Sequence, residues 1–322
     1  MDYRRIGTSG LVASRICLGG NSWGAEGRRA WGAFGAEAAS GFFREALDAG
    51  VTWFDTADTY NAGDSEAVMG ETLLKMVPRE ELVIGSKVGI PLSDRPNHGG
   101  LGRKHLMASI DGCLKRLGTD YVDIYHIHRL DEGTPLEETL EAFGDMIRAG
   151  KVRYLGVSTM PVRRMARILA LAEFAGAPKP IVMQNLYNLV TREEEAEMIP
   201  LCAEAGVDCS PYSPLARGLL SGARTRGGEA ATERAANDAN AGRPRDADWD
   251  VVEALVEVAQ ARGAKPSQVA LAWMLSKPFL AAPVIGVTRP GHVSDAAAAT
   301  AIRLTQEEVA RLEAPYAFRP VK

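Results

Sequence analysis

The sequence predicts an α/β protein folded as a single (β/α)8 TIM barrel, with an N-terminal β-hairpin cap and long loops at the C-terminal mouth. Three observations carry this expectation. Short runs rich in β-branched and aromatic residues alternate with longer stretches of helical periodicity, the pattern of repeated βα units. Eight such runs can be drawn. The chain's 322 residues, 46% of them hydrophobic, can bury a large core, and they exceed the about 250 residues usual for such a barrel by enough to supply added loops. The whole chain, 1–322, is therefore read as one domain.

The elements follow in order. "YRRIGTSGLVASRI" offers a glycine-containing turn between two short strands, a hairpin placed to cover the bottom of the barrel. The eight strands are "ICLG" (16–19), "VTWFD" (51–55), "LVIGSK" (82–87), "VDIYHIH" (122–128), "VRYLGVS" (152–158), "IVMQN" (181–185), "VDCSPY" (207–212) and "APVIG" (282–286). Between them lie amphipathic helices. In "EETLEAFGDMIRAG", Leu140, Phe143 and Ile147 recur at three- and four-residue spacing and Gly150 stops the helix. The segment 216–246 has no apolar period and reads as a long loop after strand seven. "TQEEVARLEA" reads as a last helix before an extended end.

Composition narrows the partners. A net charge of -4 with scattered basic residues leaves no electrostatic footprint for nucleic acid, which favours a small-molecule partner. No run approaches the about 18 apolar residues of a membrane span, and the N-terminus lacks a basic start followed by an apolar stretch. A cytoplasmic protein is expected. Cys17, Cys113, Cys202 and Cys209 contain no CxxC pair and read as small core residues of a reducing compartment. Oligomeric state is left open.

In a barrel of this kind chemistry sits where the strands end at their C-terminal side. Asp55 closes strand two, Lys87 strand three and His128 strand four, and Tyr60 lies in the loop after Asp55. Four ionisable groups thus converge on one mouth. A phenol with a pKa of about 10 is a weak acid at neutral pH, but an adjacent ammonium stabilises its phenolate. Lys87 supplies that ammonium, and Asp55 keeps it charged. A tuned phenol beside a neutral imidazole suits a carbonyl oxygen that gains negative charge, which is carbonyl reduction. The hydride must come from a nicotinamide cofactor, since side chains do not provide one. With no GxGxxG and no GxxxxGK, the barrel itself must hold it, through Ser158 and Thr159, Gln184 and Asn185, Tyr212 and the loop around Arg289.

"FDTADTYNAGDSE", "VIGSKVG", "YVDIYHIHR", "GVST", "MQNLYNL" and "YSPLARGLLSG", in that order along nearly the whole chain, resemble an aldo-keto reductase. "HRLDEGTPLEETLEA" and "LEAPY" are similar to the bacterial aryl-alcohol-dehydrogenase-like branch related to potassium-channel β subunits. The resemblance implies a catalytic tetrad of Asp55, Tyr60, Lys87 and His128 and NADP(H) extended across the mouth, with NADPH preferred to NADH. It implies that Ser158 and Gln184 hydrogen-bond the carboxamide and Tyr212 stacks on the nicotinamide. Ser213, Leu215, Arg217 and Gly218 would lie along the pyrophosphate. Gly286 and Arg289 would meet the 2'-phosphate, with His292 and Asp295 near the adenine.

The sequence departs from the family pattern in three places: Thr159 stands where the family usually has Asn, Gly19–Gly20 followed by Asn21 stands where it has Gly-Thr, and Ala296 stands where it has Asn.

Rival chemistries share these residues. His126 and His128 point to the same side of their strand, as in metal-dependent hydrolases, but the other histidines lie elsewhere. Lys87 could form a Schiff base as in a lyase, which the Asp55 carboxylate opposes by keeping the amine protonated. A non-catalytic, cofactor-sensing barrel is the third alternative. The substrate pocket is expected among Trp23, Trp31, Phe34, His98 and Arg129, with Trp31 and Phe34 equally able to anchor their own loop and Arg129 to pair with Asp131.

Overall fold

The computed structural model describes residues 1–25, 34–222, 224, 226 and 244–318. Trp31 and most of the long loop expected at 216–246 lie outside the described residues. Strands β1 (Tyr3–Arg5) and β2 (Val12–Ser14) pair antiparallel, the hairpin read from the sequence. Ile6 and Ala13 then pack with Cys17, Trp53, Ile124 and Val182 at the lower ends of the following strands. Polar contacts fix this floor: Arg4 Nη1 donates to the carbonyls of Pro278 (3.1 Å) and Leu280 (2.9 Å). The amide of Gly7 donates to Asp208 Oδ2 at 3.0 Å.

Eight parallel strands follow in one curled sheet, consistent with a (β/α)8 barrel. They are β3 (Cys17–Gly19), β4 (Trp53–Asp55), β5 (Val83–Val88), β6 (Val122–Ile127), β7 (Val152–Ser158), β8 (Pro180–Gln184), β9 (Asp208–Cys209) and β10 (Val284–Ile285). Spatial order is β10-β3-β4-β5-β6-β7-β8-β9. Bridges between Cys209 and Leu280 and between Tyr212 and Val284 bring the two edges together. The amides of Cys209 and Val284 donate across that seam, each at 2.8 Å. β5 and β6 are buried along their whole length, as strands covered on both faces must be, so their sequences read as near-continuous apolar runs.

Helices α1 (Ala36–Asp48), α2 (Asp64–Glu71), α3 (Arg103–Leu117), α4 (Leu136–Arg148), α5 (Val162–Ala175) and α6 (Met198–Glu204) connect successive strands. In α4, Leu136, Leu140, Phe143 and Met146 are buried, acidic Glu137 and Glu138 open the first turn, and Arg148 closes the last, all favourable to the helix dipole. Two helices, α7 (Asp246–Arg262) and α8 (Pro266–Leu275), precede β10 where one was expected. After it come α9 (His292–Ala299) and α10 (Gln306–Glu313), the latter the final helix read from the sequence.

The ladders of β9 and β10 span two residues each, shorter than the runs 207–212 and 282–286. Pro211 and Pro283 lack an amide hydrogen, so a regular ladder stops beside them and single bridges take over. All four cysteines are free and buried, and burial pushes the thiols of Cys17 and Cys113 well above the ordinary range. Among the described residues no helix is long and apolar enough to cross a membrane.

Candidate active site

Asp55 ends β4, Lys87 is the penultimate residue of β5, and His128 follows β6 directly. Tyr60 opens the single 3-10 turn Tyr60–Gly63 that leads into α2. The sheet register sets Asp55 beside Gly85 and Lys87 beside His126, so residues far apart in sequence share one layer of the interior.

Lys87 is wholly buried, and its ammonium has three donors to satisfy. One goes to Asp55 Oδ2 in a buried ion pair, one to the carbonyl of Thr56 at 2.8 Å, and one to the phenol oxygen of Tyr60 at 3.1 Å. Burial alone would favour the neutral amine of Lys87. The charge of Asp55 and the contact with Tyr60 outweigh it and hold the ammonium above its ordinary range. Asp55 Oδ1 accepts from Gln184 Nε2 at 3.0 Å, so both carboxylate oxygens are engaged.

His128 meets Tyr60 edge to face, with ring centroids 5.8 Å apart. Burial, reinforced by the charges of Lys87 and Arg129, pushes its imidazole down to about 2. It is therefore neutral across physiological pH. His126 is also neutral, pushed down to about 4 chiefly by burial, and its ring sits in a hollow left by a glycine. A Cβ on Gly156 would lie 2.4 Å from the ring's Cδ2. His126 is thus an interior packing residue, held through Nδ1 against the Ser86 carbonyl at 3.3 Å.

The residues assigned to the nicotinamide end gather over β7, β8 and β9. Ser158 Oγ donates to the Gln184 carbonyl at 2.9 Å, and Thr159 Oγ1 lies 3.2 Å from the phenol oxygen of Tyr212. The amide of Tyr212 donates to the Asn185 carbonyl at 2.9 Å. Gly20 is pressed between its neighbours: its amide donates to the Asp55 carbonyl at 2.6 Å, and a Cβ there would lie 2.7 Å from Ser65 Oγ. Asn21 Oδ1 is enclosed without a partner among the described residues. After Tyr212 the chain turns sharply, with Ser213 (φ 54°), Arg217 (φ 55°) and Gly218 (φ 92°) in the left-handed region and Leu215 leading into the turn Ala216–Ser221. Asn188 Nδ2 braces it through the Ser213 carbonyl at 3.0 Å.

At the opposite end Gly286, Arg289 and His292 are exposed, and Asp295 is ion-paired with Lys265 at 2.7 Å. Sequence reasoning missed Glu45. From α1 it reaches the first turn of α9, accepting from the amides of Gly291 (3.3 Å) and Ser294 (3.0 Å) and from Ser294 Oγ (2.6 Å). No local signal announces a contact spanning 246 residues.

The proposed pocket residues are placed differently from one another. Trp23 is wholly buried in an aromatic cluster with Phe34, Phe42 and Phe43, at centroid distances of 6.2, 5.6 and 5.1 Å. It is anchored in the core, because an indole among phenyl rings gains more there than at a polar rim. Arg129 is exposed and its Nη1 donates to the His128 carbonyl at 2.9 Å. Asp131, which the sequence offered as its partner, instead accepts from Thr134 Oγ1 at 2.5 Å and from the amide of Gly133 at 2.8 Å. His98 is exposed and pairs through Nδ1 with Ser93 Oγ at 2.9 Å.

Residues 15–317 match the aldo/keto reductase family. A versiconal hemiacetal acetate reductase from Aspergillus parasiticus is 35% identical, over 98% of this chain and 97% of its own length. An aldo-keto reductase from Alternaria alternata is 36% identical, over 99% of this chain and 92% of its own. A Schizosaccharomyces pombe protein whose name assigns it provisionally to the aryl-alcohol dehydrogenases is 35% identical, over 99% and 97%. A match that takes in nearly all of the sequence, repeated by relatives across almost their full length, makes this chain a member of the aldo/keto reductase family, an oxidoreductase by descent.

Proposed function

We propose that the chain is an NADPH-dependent reductase that converts aldehyde or ketone groups of small molecules to alcohols, reversibly, with Tyr60 as the proton donor. The observation that carries this reading is the single ammonium of Lys87, buried, charged by Asp55 and donating to the Tyr60 phenol. A hydrogen bond from a cation to the phenol oxygen favours phenolate, which makes the phenol a better acid toward a carbonyl oxygen. The neutral His128 beside it can hydrogen-bond the same oxygen as negative charge develops there. NADPH, when bound, supplies the hydride. The carbonyl carbon gains that hydride, its oxygen takes the phenol proton, and solvent restores the proton to Tyr60.

The residues present fit such a cofactor. Asn21 Oδ1 and His128 Nδ1 are enclosed polar atoms without partners among the described residues. Ser158, Thr159, Gln184 and Tyr212 would meet the nicotinamide. The turn through Ser213, Leu215, Arg217 and Gly218 would follow the pyrophosphate, and the exposed Arg289 near Gly286 offers a planar fork for a 2'-phosphate, with His292 and Asp295 beyond. The chain as one closed barrel domain, in the aryl-alcohol-dehydrogenase-like branch, is part of the same proposal. The Schizosaccharomyces pombe relative supports that branch. Its bacterial, channel-related placement rests on the motifs "HRLDEGTPLEETLEA" and "LEAPY" alone.

The experiment is a panel of aldehydes and ketones with the purified protein, following NADPH absorbance. Turnover is expected. No turnover of any carbonyl, with NADPH still bound, would favour the cofactor-sensing alternative. Borohydride added with substrate is expected to trap nothing on Lys87, because a protonated amine is not a nucleophile.

A further inference from the structure

Behind the mouth lies a second cluster of buried polar groups that the reaction does not use. Lys87 points into the barrel, so its neighbour Ser86 points to the outer face of β5. There Ser86 Oγ donates to Glu66 Oε1 at 2.6 Å, and Arg116 Nε donates to Glu66 Oε2 at 2.6 Å. Glu66 is wholly buried and both of its oxygens are taken. Asp58, in the loop between Asp55 and Tyr60, is buried close enough to feel these charges, yet among the described residues its carboxyl oxygens have no well-formed hydrogen bond, only the neighbouring Thr59 amide approaching them. The phenol oxygen of Tyr125 on β6 is enclosed and without a partner too, within reach of the charges of Asp58 and Glu66.

An ionised Asp58 would add a second buried anion within reach of Glu66, and the Arg116 guanidinium that also acts on Asp58 is already committed to Glu66. Burial first, and then Glu66, push the Asp58 carboxyl up to about 7 against the pull of Arg116, the Thr59 amide and Lys87. Burial raises the Cys113 thiol of α3 and the Tyr125 phenol of β6 well above their ordinary range. Lys87 stays charged, for the reasons given above.

The loop that carries Asp58 also carries Tyr60. The Asp58 amide donates to the Lys87 carbonyl at 3.3 Å and the Tyr60 amide to the Ala57 carbonyl at 3.1 Å. Just beyond, Asn61 (φ 50°) and Ala62 (φ 58°) adopt left-handed conformations, and Ala62 disfavours its own, so the turn there is held partly by its surroundings. We propose that Asp58 is a positioning residue that, while protonated, keeps this loop seated so that Tyr60 meets Lys87, and that its ionisation beside Glu66 unseats the loop. The proposal rests on the reading of Tyr60 as the proton donor.

The test compares wild type with Asp58→Asn, which keeps the shape and cannot ionise, in two measurements. With saturating aldehyde and NADPH, wild-type kcat should fall about tenfold or more between about pH 6.5 and about pH 8.5, and the variant's by no more than about twofold. The second readout is the unfolding temperature without cofactor. A folded-state carboxyl raised above its unfolded value gives stability that is complete at low pH and is lost as pH rises from about 4 through about 7. The variant should therefore gain on the wild type by about 3 °C or more between those limits. If Asp58→Asn fails to fold, Glu66→Gln decides: removing the neighbouring charge should move the wild-type activity loss about one unit to lower pH. Superimposable pH profiles, or an unfolding-temperature difference that is constant with pH, would overturn the proposal. Absence of any carbonyl turnover in the wild type would count against the reductase reading, and the unfolding temperatures would still decide on Asp58.

Discussion

Lys87 is the residue on which the candidate site turns, since one ammonium contacts Asp55, Thr56 and Tyr60 at once. Lys87→Met should abolish reduction and also destabilise the fold by about 3–5 kcal/mol, because Asp55 would be left as a buried charge without its counterion. Denaturant unfolding measures that loss. A loss within 1 kcal/mol, about the worth of a surface pair, would mean the pair is not buried in solution. The histidines make a pH prediction. His128 and His126 are held down to about 2 and about 4, while an unfolded imidazole binds its proton below about 6.5. On account of these two groups the unfolded chain binds more protons as pH falls, and they destabilise the protein from about pH 6.5 downward, opposing the contribution of Asp58 over the upper part of that range. Their ring signals in NMR should not titrate between about pH 5 and about pH 8. Asp55, Lys87 and His128 could be read from the sequence because each stands where an apolar run stops. Trp23 could not, because nothing local distinguishes an aromatic that turns into the core from one that lines a rim.

At the scale of elements, the strands that read most clearly were those with a long ladder paired on both edges: β7 covers Val152–Ser158, the run read from the sequence. β9 and β10 were over-extended because Pro211 and Pro283 preserve the apolar look of a strand while removing ladder donors. The interior of the barrel carries a constraint that no single strand reveals. β7 must have glycine opposite the ring of His126, and Gly156→Ala should cost about 1–3 kcal/mol through overpacking, measured by denaturant unfolding. The contact of α1 with α9 was equally invisible, since it joins the two ends of the chain. Under the proposed NADPH-dependent function, it would bear on cofactor choice. Arg289→Ala should weaken NADPH by about tenfold or more while changing NADH little, as expected for loss of a charged hydrogen bond. Glu45→Gln should tighten NADPH more than NADH, because a carboxylate then leaves the turn that follows Arg289. Dissociation constants from nicotinamide fluorescence check both.

For the molecule as a whole, the alternation of short apolar runs with amphipathic helices was enough to read eight parallel strands, and the hairpin closing their lower ends came with them. The order of strands around the sheet follows the order in sequence, which is why a one-dimensional reading could locate the mouth. What the sequence did not disclose was how the mouth is tuned: the amide of Gln184 on Asp55, and the buried Asp58 behind the loop of Tyr60. In the proposed reaction the phenol of Tyr60, poised by Lys87, gives the proton to the carbonyl oxygen, and Tyr60→Phe removes that one oxygen from a ring that stays in place. Steady-state reduction of an aldehyde should fall by about 100- to 10,000-fold while the dissociation constant for NADPH stays within about twofold. Turnover within about threefold of the wild type, with the cofactor bound normally, would exclude Tyr60 as the proton donor.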